Sequence, residues 1–176
     1  MSEKNVWFKL SRHRINALVW IFFLLLLLGI AIVLLLFINI ARNNFLDLPI
    51  FEQAIYGGIS MALLGSSTFY FRKLYKACIN LDFITPISEE DKIRQTGVFI
   101  YFALRPLFSI IFSLIIVFSL REGVLTMVAK AELQDGFTYA AMIFSFFGGY
   151  ASGDLVDFFE KVSRKSILNF FERNKT

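Results

Sequence analysis

Two short motifs in this sequence combine residue types and spacing that could support hydrolysis, and the first is Glu89-Glu90-x-x-x-Arg94. This spacing matches an intramembrane metalloprotease motif, in which a glutamate activates a zinc-bound water molecule. Such a site needs histidine ligands from other helices, whereas the only histidine is His13, in a basic N-terminal segment. We therefore interpret Glu89 and Glu90 as the acidic first turn of a helix capped by Ser88, where the helix dipole stabilises negative charge.

The second motif is Ser152-Gly153-Asp154, which is similar to the motif of aspartyl intramembrane proteases. Those enzymes need two aspartates that face each other from different helices, and no other hydrophobic segment has an aspartate in its interior. The serines within apolar segments have no histidine or lysine nearby to act as a base: Ser60, Ser66, Ser67, Ser109, Ser113 and Ser145. We therefore predict that the protein is not an enzyme and holds no metal ion or cofactor.

The composition indicates a membrane protein whose partner is the lipid bilayer. Hydrophobic residues make up 57% of the 176 residues and charged residues 18%, whereas soluble domains average about 25% charged residues. The net charge of +4 could indicate nucleic-acid binding, but membrane insertion favours the same basic bias. We therefore do not expect a nucleic-acid partner. The lone Cys78 cannot form an internal disulfide.

Four hydrophobic segments predict four transmembrane helices, at residues 15–41, 50–71, 89–120 and 137–173. The first has 27 residues without a formal charge, and runs of about 18 or more apolar residues are typical of transmembrane helices. The last continues past its apolar run as an amphipathic C-terminal helix, with Phe158, Phe159 and Val162 on one face. The predicted fold class is all-α, a polytopic membrane protein in which residues 1–176 form a single membrane domain.

The distribution of basic residues predicts the orientation, because cytoplasmic loops of membrane proteins are enriched in lysine and arginine. Three segments on one side carry fourteen basic residues: Lys4, Lys9, Arg12 and Arg14; Arg72, Lys73, Lys76, Lys92 and Arg94; Lys161, Arg164, Lys165, Arg173 and Lys175. The other side carries three, which are Arg42, Arg121 and Lys130. We therefore expect a multi-pass protein of the bacterial inner membrane with both termini in the cytoplasm.

Small residues recur every fourth position in the second and fourth segments. The two sets are Ala54, Gly58, Ala62 and Ser66, and Ala141, Ser145, Gly149 and Gly153. This spacing places each set on one helix face, and small residues on such a face let helix backbones approach closely within lipid. The two faces could meet within one chain, join subunits of a homo-oligomer, or do both. We expect a homo-oligomer.

Arg105 lies inside the third segment, and Asp154 ends the fourth segment on the same side of the membrane. A charge at the centre of a membrane span costs about 3 kcal/mol on insertion scales, so such residues usually form pairs or line a pathway. Two alternatives follow from this position. Either the two residues form a charge pair, or Arg105 extends to the lipid headgroups while Asp154 stays in water.

Two stretches resemble a loose, largely uncharacterised family of small bacterial four-helix membrane proteins. "LRPLFSIIFSLIIVFSLREGVL" is similar to the family's Arg-Pro-Leu helix, and "FFGGYASGDLVDFFEKV" is similar to its Gly-Tyr helix ending. The resemblance covers about the second half of the chain, and Phe108-Ser109 departs from a glycine-rich part of the family pattern. In size, number of spans and basic cytoplasmic face, the chain also resembles membrane effectors and accessory proteins of bacterial antiviral, CRISPR-associated defence. That resemblance implies an oligomer that alters membrane permeability or signals to a cytoplasmic partner.

Three functions are compatible with these patterns. The first, which we predict, is an oligomeric pore or membrane-perturbing effector, since the helices carry small-residue faces and polar serines without a catalytic set; the other two are alternatives. The second is a membrane scaffold or regulatory subunit that binds a soluble cytoplasmic protein. The third is a small transporter, which is disfavoured because no acidic residue lies in the middle of a span to couple protons.

Overall fold

The computed structural model describes residues 10–42, 46–79, 89–127 and 135–173, and these ranges form four helices. They are α1 (Arg12–Ala41), α2 (Ile50–Ile79), α3 (Glu89–Met127) and α4 (Asp135–Arg173). The all-α prediction is confirmed. Helix α2 continues beyond its predicted end at residue 71, and α3 continues beyond residue 120, because helical hydrogen bonding does not stop where the apolar run stops.

Two of the four helices are long and apolar enough to cross a membrane. They are Arg12–Ala41, which is all of α1, and Lys92–Thr126, which is most of α3. Helices α2 and α4 have 30 and 39 residues, so each is at least about 45 Å long at 1.5 Å per residue. Their composition is less apolar because it includes many glycine, alanine and serine residues.

Helix α2 is the central helix and contacts each of the other three. Helices α1 and α3 run antiparallel to it, and α4 runs parallel to it and makes the most extensive contact. The pairs that establish these directions are Phe22 with Tyr70 and Gly29 with Leu64 for α1, Phe102 with Tyr70 and Phe118 with Phe51 for α3, and Thr138 with Ile50 and Gly153 with Tyr70 for α4. Successive helices therefore alternate in direction.

The bundle has an apolar cluster near each end. The first, where α1 begins, contains Leu10, Ile15, Leu18, Phe22, Tyr70, Leu74 and Phe102. The second, near the start of α2 and α4, contains Ala54, Val117, Phe137 and Ala141. Between these clusters the helices bury hydroxyl groups and small residues, such as Ser66, Ser109 and Gly149.

The exterior of the bundle is strongly apolar along its length. Exposed side chains include Trp20, Leu24, Leu28, Leu34, Leu35, Ile111, Ile115 and Phe147, each more than half exposed except Leu28, which is 50% exposed. The interior includes seven buried serines: Ser60, Ser66, Ser67, Ser109, Ser113, Ser145 and Ser152. An apolar exterior of this extent together with so many buried polar side chains is uncommon in water-soluble proteins.

Candidate functional site

The candidate site is a group of buried polar side chains between α2, α3 and α4, which we call the polar seam: Ser66, Arg105, Ser109, Ser113 and Ser145. The three residues on α3 are spaced by four, so they share one face of that helix. This face is directed towards α2 and α4, which supply Ser66 and Ser145. Residues from three helices form the polar seam, so no single sequence motif identifies it.

The serine hydroxyls of the polar seam are close to one another and to backbone carbonyls. Ser113 Oγ donates to Ser145 Oγ at 3.0 Å. Ser109 Oγ donates to the Pro106 carbonyl at 2.6 Å and lies 3.2 Å from Ser66 Oγ. These contacts with hydroxyls and carbonyls join α3 to α2 and α4.

Arg105 is the largest fully buried side chain of the described residues, with 1% of its surface exposed. Its Nη1 donates to the Gly153 carbonyl on α4 at 2.8 Å. Its guanidinium carbon lies 4.0 Å from the centroid of the Tyr101 ring. A charge-assisted hydrogen bond and a cation–π contact therefore offset part of the cost of burying this charge.

These contacts correct one expectation for Arg105 and leave the other open. Extension to the headgroups is wrong, because the side chain is buried between α3 and α4. The described hydrogen bond reaches the backbone of Gly153, the residue before Asp154, while the Asp154 side chain is exposed. The structure thus brings the two residues to adjacent positions, and a direct charge pair between Arg105 and Asp154 stays a prediction.

Both small-residue faces lie inside the chain. All eight positions are buried: Ala54, Gly58, Ala62, Ser66, Ala141, Ser145, Gly149 and Gly153. A Cβ atom added at Gly149 would collide with the Ala62 backbone, and one added at Gly58 would lie 2.8 Å from Ser113 Oγ and 3.0 Å from Ser145 Oγ. Packing within one chain therefore accounts for both faces, and their use between subunits stays a prediction.

The adjacent glycines of α4, Gly148 and Gly149, pack against two different helices. A Cβ at Gly148 would lie 2.6 Å from the end of the Ile116 side chain on α3, whereas Gly149 lies against the Ala62 backbone on α2. Neighbouring helical residues point about 100° apart, so two consecutive glycines admit two helices at once. This packing explains why an aromatic-rich helix loses side-chain volume at this point.

Sequence reasoning missed Gly65, which lies at a very close approach between α2 and α4. A Cβ there would collide with the Phe146 carbonyl and lie 2.9 Å from the Tyr150 nitrogen. The four-residue spacing passes through Ser66 and therefore omits its neighbour. Gly57, eight residues earlier, was the available signal, because residues eight apart lie near the same helix face.

Charged residues are separated between the two ends of the bundle. The end where α1 begins groups Arg12, Arg14, Arg72, Lys73, Lys76, Lys92 and Arg94. Contacts join its helices there, since Arg14 Nη1 donates to the Lys92 carbonyl at 3.3 Å and the Ser11 amide to Gln95 Oε1 at 3.2 Å. The other end has Asp47, Glu52, Glu122 and Asp135 with Arg42 and Arg121. The first end also contains the acidic residues Glu89, Glu90, Asp91 and Asp154, so its seven cations leave a net charge of +3, whereas the four acidic and two basic residues of the other end give −2. We call the first end the basic end.

The remaining motif residues fall at helix boundaries. Glu89 is the first residue of α3, as the capping interpretation requires, whereas Ser88 lies outside the described residues. Helix α4 continues to Arg173, and Phe158 and Val162 are exposed; the side chain of Phe159 lies outside the described ones, so the amphipathic face stays a prediction. Within the described ranges, no group of histidine, cysteine and acidic residues could hold a metal ion.

Comparisons with protein-family models, with curated proteins and with solved structures find no match to this chain. The resemblances to small bacterial membrane proteins and to antiviral effectors therefore stay predictions.

Proposed function

We propose that this chain is a multi-pass inner-membrane protein with four transmembrane helices and both termini in the cytoplasm, and that it presents its basic end to a soluble partner. The observation that carries the membrane location is the combination of an apolar exterior with buried polar side chains. Serine hydroxyls and Arg105 are inside, whereas leucine, isoleucine and phenylalanine side chains cover the outside. Lipid is the solvent in which such a surface is favourable.

The proposal of four spans extends to α2 and α4 because of their charge-free lengths. Residues 53–71 of α2 and 136–153 of α4 carry no formal charge. At 1.5 Å per residue these stretches are about 27–29 Å long, close to the hydrocarbon thickness of about 30 Å. Helix α2 packs alongside the more apolar α1 and α3, and α4 packs alongside α2 and α3, so many of their small and polar residues are directed away from lipid.

The orientation follows from the basic end. Cationic residues are retained on the cytoplasmic side during insertion, and the described cations of α1, α2 and α3 are concentrated at one end of the bundle. That end contains the start of α1. It is also the end at which α4 passes Asp154 and continues to Arg173. Both termini then lie on the cytoplasmic side.

Closed packing favours a scaffold or regulatory subunit over a pore within one chain. The hydroxyls of the polar seam contact one another, and the glycines of α2 and α4 bring two backbones together. Beyond Asp154, α4 continues for residues 155–173, about 28 Å of helix. A rigid bundle with a long helical extension at a basic end suits the binding of an acidic surface on a soluble cytoplasmic protein.

The oligomeric pore or antiviral effector is the second candidate, and the alignment of Arg105, Ser109 and Ser113 on one face of α3 favours it. If α3 moved away from α2 and α4, this face would present a cation and two hydroxyls to a water-filled passage. A small transporter would use the same face. In the scaffold proposal α3 stays packed against α2 and α4 during function, whereas in the pore and transporter proposals α3 moves away from them.

The native cysteine provides a direct test of the topology. Cys78 is partly exposed near the end of α2, so a membrane-impermeant maleimide should label it in lysed cells and not in intact spheroplasts. In a Cys78→Ser background, Asp47→Cys at the opposite end should be labelled in intact spheroplasts. Labelling of Cys78 from outside would contradict the proposed orientation.

The scaffold and pore proposals can be compared in one expression strain. Under the scaffold proposal, the full chain should cross-link to a soluble protein that also binds the purified full chain saturably. Deletion of residues 158–176 should abolish this cross-link. Dye entry should stay at background with either form of the chain. A pore should instead admit dye into cells that express the full chain, and Ser109→Leu should alter that entry. Dye entry without any saturable soluble partner would favour the pore and contradict the scaffold.

A further inference from the structure

An aromatic-basic cluster lies on the surface of α2 and α4, outside the polar seam: Phe69, Arg72, Lys73 and Tyr150. Arg72 Nη1 donates to Tyr150 Oη at 3.3 Å. Lys73 Nζ lies 4.3 Å from the centroid of the Phe69 ring. The Phe69 and Tyr150 rings meet edge to face, with centroids 5.1 Å apart. Each cation thus contacts one aromatic side chain, and the two rings contact each other.

We propose that this cluster binds the phosphate of an anionic phospholipid of the phosphatidylglycerol type. The inference rests on the proposed membrane location, because it places the cluster where α2 ends its uncharged stretch at residue 71. That depth is the headgroup layer, in which tyrosine rings and the ends of basic side chains are favourable.

The charge of Arg72 is available to such a ligand. Arg72 is exposed, and in the part of the chain that the structure describes its polar contact is the neutral Tyr150 hydroxyl rather than a carboxylate. A guanidinium has five donors in a planar fork, so the contact with Tyr150 leaves others to donate to phosphate oxygens. Tyr150 then acts as a positioning residue that holds the guanidinium beside Lys73.

Asp154 is the described acidic residue that opposes this binding. It is exposed one turn beyond Tyr150 on α4. The exposed Lys76, one turn beyond Arg72 on α2, offsets it. Arg72 and Lys76 outnumber Asp154, so the surface beside the two rings keeps a net positive charge, which favours an anionic phospholipid over the zwitterionic phosphatidylcholine.

Native mass spectrometry of the full chain in detergent, with equal amounts of phosphatidylglycerol and phosphatidylcholine, tests the inference. We expect the full chain to retain phosphatidylglycerol over phosphatidylcholine by about tenfold, as expected from two cations that each attract an anionic headgroup. Arg72→Gln with Lys73→Gln should reduce this ratio to about one, and Tyr150→Phe should reduce it partly because the hydroxyl that holds Arg72 is removed.

The matched control is Lys92→Gln with Arg94→Gln, which removes the same charge from the basic end at exposed positions of α3. This control should keep the preference of the full chain. An equal loss in both double variants, or no preference in the full chain, would overturn the lipid inference. Extraction of the chain from membranes by alkaline carbonate would instead overturn the membrane location, so the two failures are distinguishable.

Discussion

At the scale of single residues, close packing depends on the absence of side chains at a few positions. Gly149 and Gly65 lie against backbone atoms of the facing helix, which cannot rotate away as a side chain can. Gly97, by contrast, has open space around its Cα. The three glycines are all helical, so differences between their substitutions report packing rather than helix propensity.

Gly149→Ala should lower the free energy of unfolding by about 1–3 kcal/mol, because the new methyl group would collide with the Ala62 backbone. Gly97→Ala should leave stability unchanged or raise it by about 0.5–1 kcal/mol through helix propensity. Thermal unfolding in detergent measures both. Equal melting temperatures for Gly149→Ala and the parent chain would contradict the observed backbone contact.

Arg105→Ala should destabilise the bundle by about 1.5–3 kcal/mol, the usual value of a hydrogen bond that involves a charged group. Arg105→Lys should cost less because it keeps a donor for the Gly153 carbonyl. Since Asp154 is exposed, Asp154→Ala should change stability by less than about 0.5 kcal/mol. A double-mutant cycle with a coupling energy above about 0.5 kcal/mol would show instead that the charge pair contributes.

At the scale of the helices, α3 combines two environments on opposite faces. One face contributes Arg105, Ser109 and Ser113 to the polar seam, and the other exposes Leu104, Ile111 and Ile115. The helix continues through Pro106, although proline removes one backbone hydrogen bond. The contacts of Arg105 with the Gly153 carbonyl and of Ser113 with Ser145 attach α3 to α4 along the seam.

The Ser113–Ser145 hydrogen bond should contribute modestly to the attachment of α3 to α4. We expect a coupling energy of about 0.6 kcal/mol from the cycle of Ser113→Ala, Ser145→Ala and the double variant, the average for such bonds within membranes. Reversible unfolding in mixed micelles measures it. The exposed Ser119 provides the control, since Ser119→Ala combined with Ser145→Ala should show no coupling. A coupling energy of zero for Ser113 and Ser145 would show that their hydrogen bond does not stabilise the packing of α3 against α4.

At the scale of the whole molecule, the eight small residues are all used within one bundle, whereas the outer surface is formed by large apolar side chains. Any homo-oligomer formed without rearrangement would therefore meet through outer faces such as that of α1. The small-residue faces would then affect subunit number only through the folding of each chain.

Gly149→Leu should consequently lower the melting temperature and the yield of folded protein, and any change in particle mass should accompany that loss. Leu27→Phe, at a side chain that is 45% exposed on α1, should leave the melting temperature unchanged. Light scattering of detergent-purified particles gives the mass. If Gly149→Leu kept the parent's melting temperature but formed smaller particles, the small-residue faces would join subunits instead.

The amino-acid sequence by itself determined that the chain forms four helices and where each begins to within about three residues, whereas α2 and α3 end eight and seven residues later than predicted. The uncharged runs and the acidic start at Glu89 are local signals, and helix formation depends mainly on local hydrogen bonding. The four-residue spacing of glycine, alanine and serine also identified buried faces on α2 and α4, because spacing determines which residues share a helix face.

Only the tertiary structure decided which surfaces these faces meet. The parallel contact of α2 with α4, the approach of Gly65 to the Phe146 carbonyl, and the hydrogen bond from Arg105 to the Gly153 carbonyl all join residues distant in sequence. A backbone carbonyl is present at every residue, so no residue type marks the one that a buried arginine will reach. Residue spacing determines which residues share a helix face, whereas the surface that this face contacts depends on how all four helices pack together.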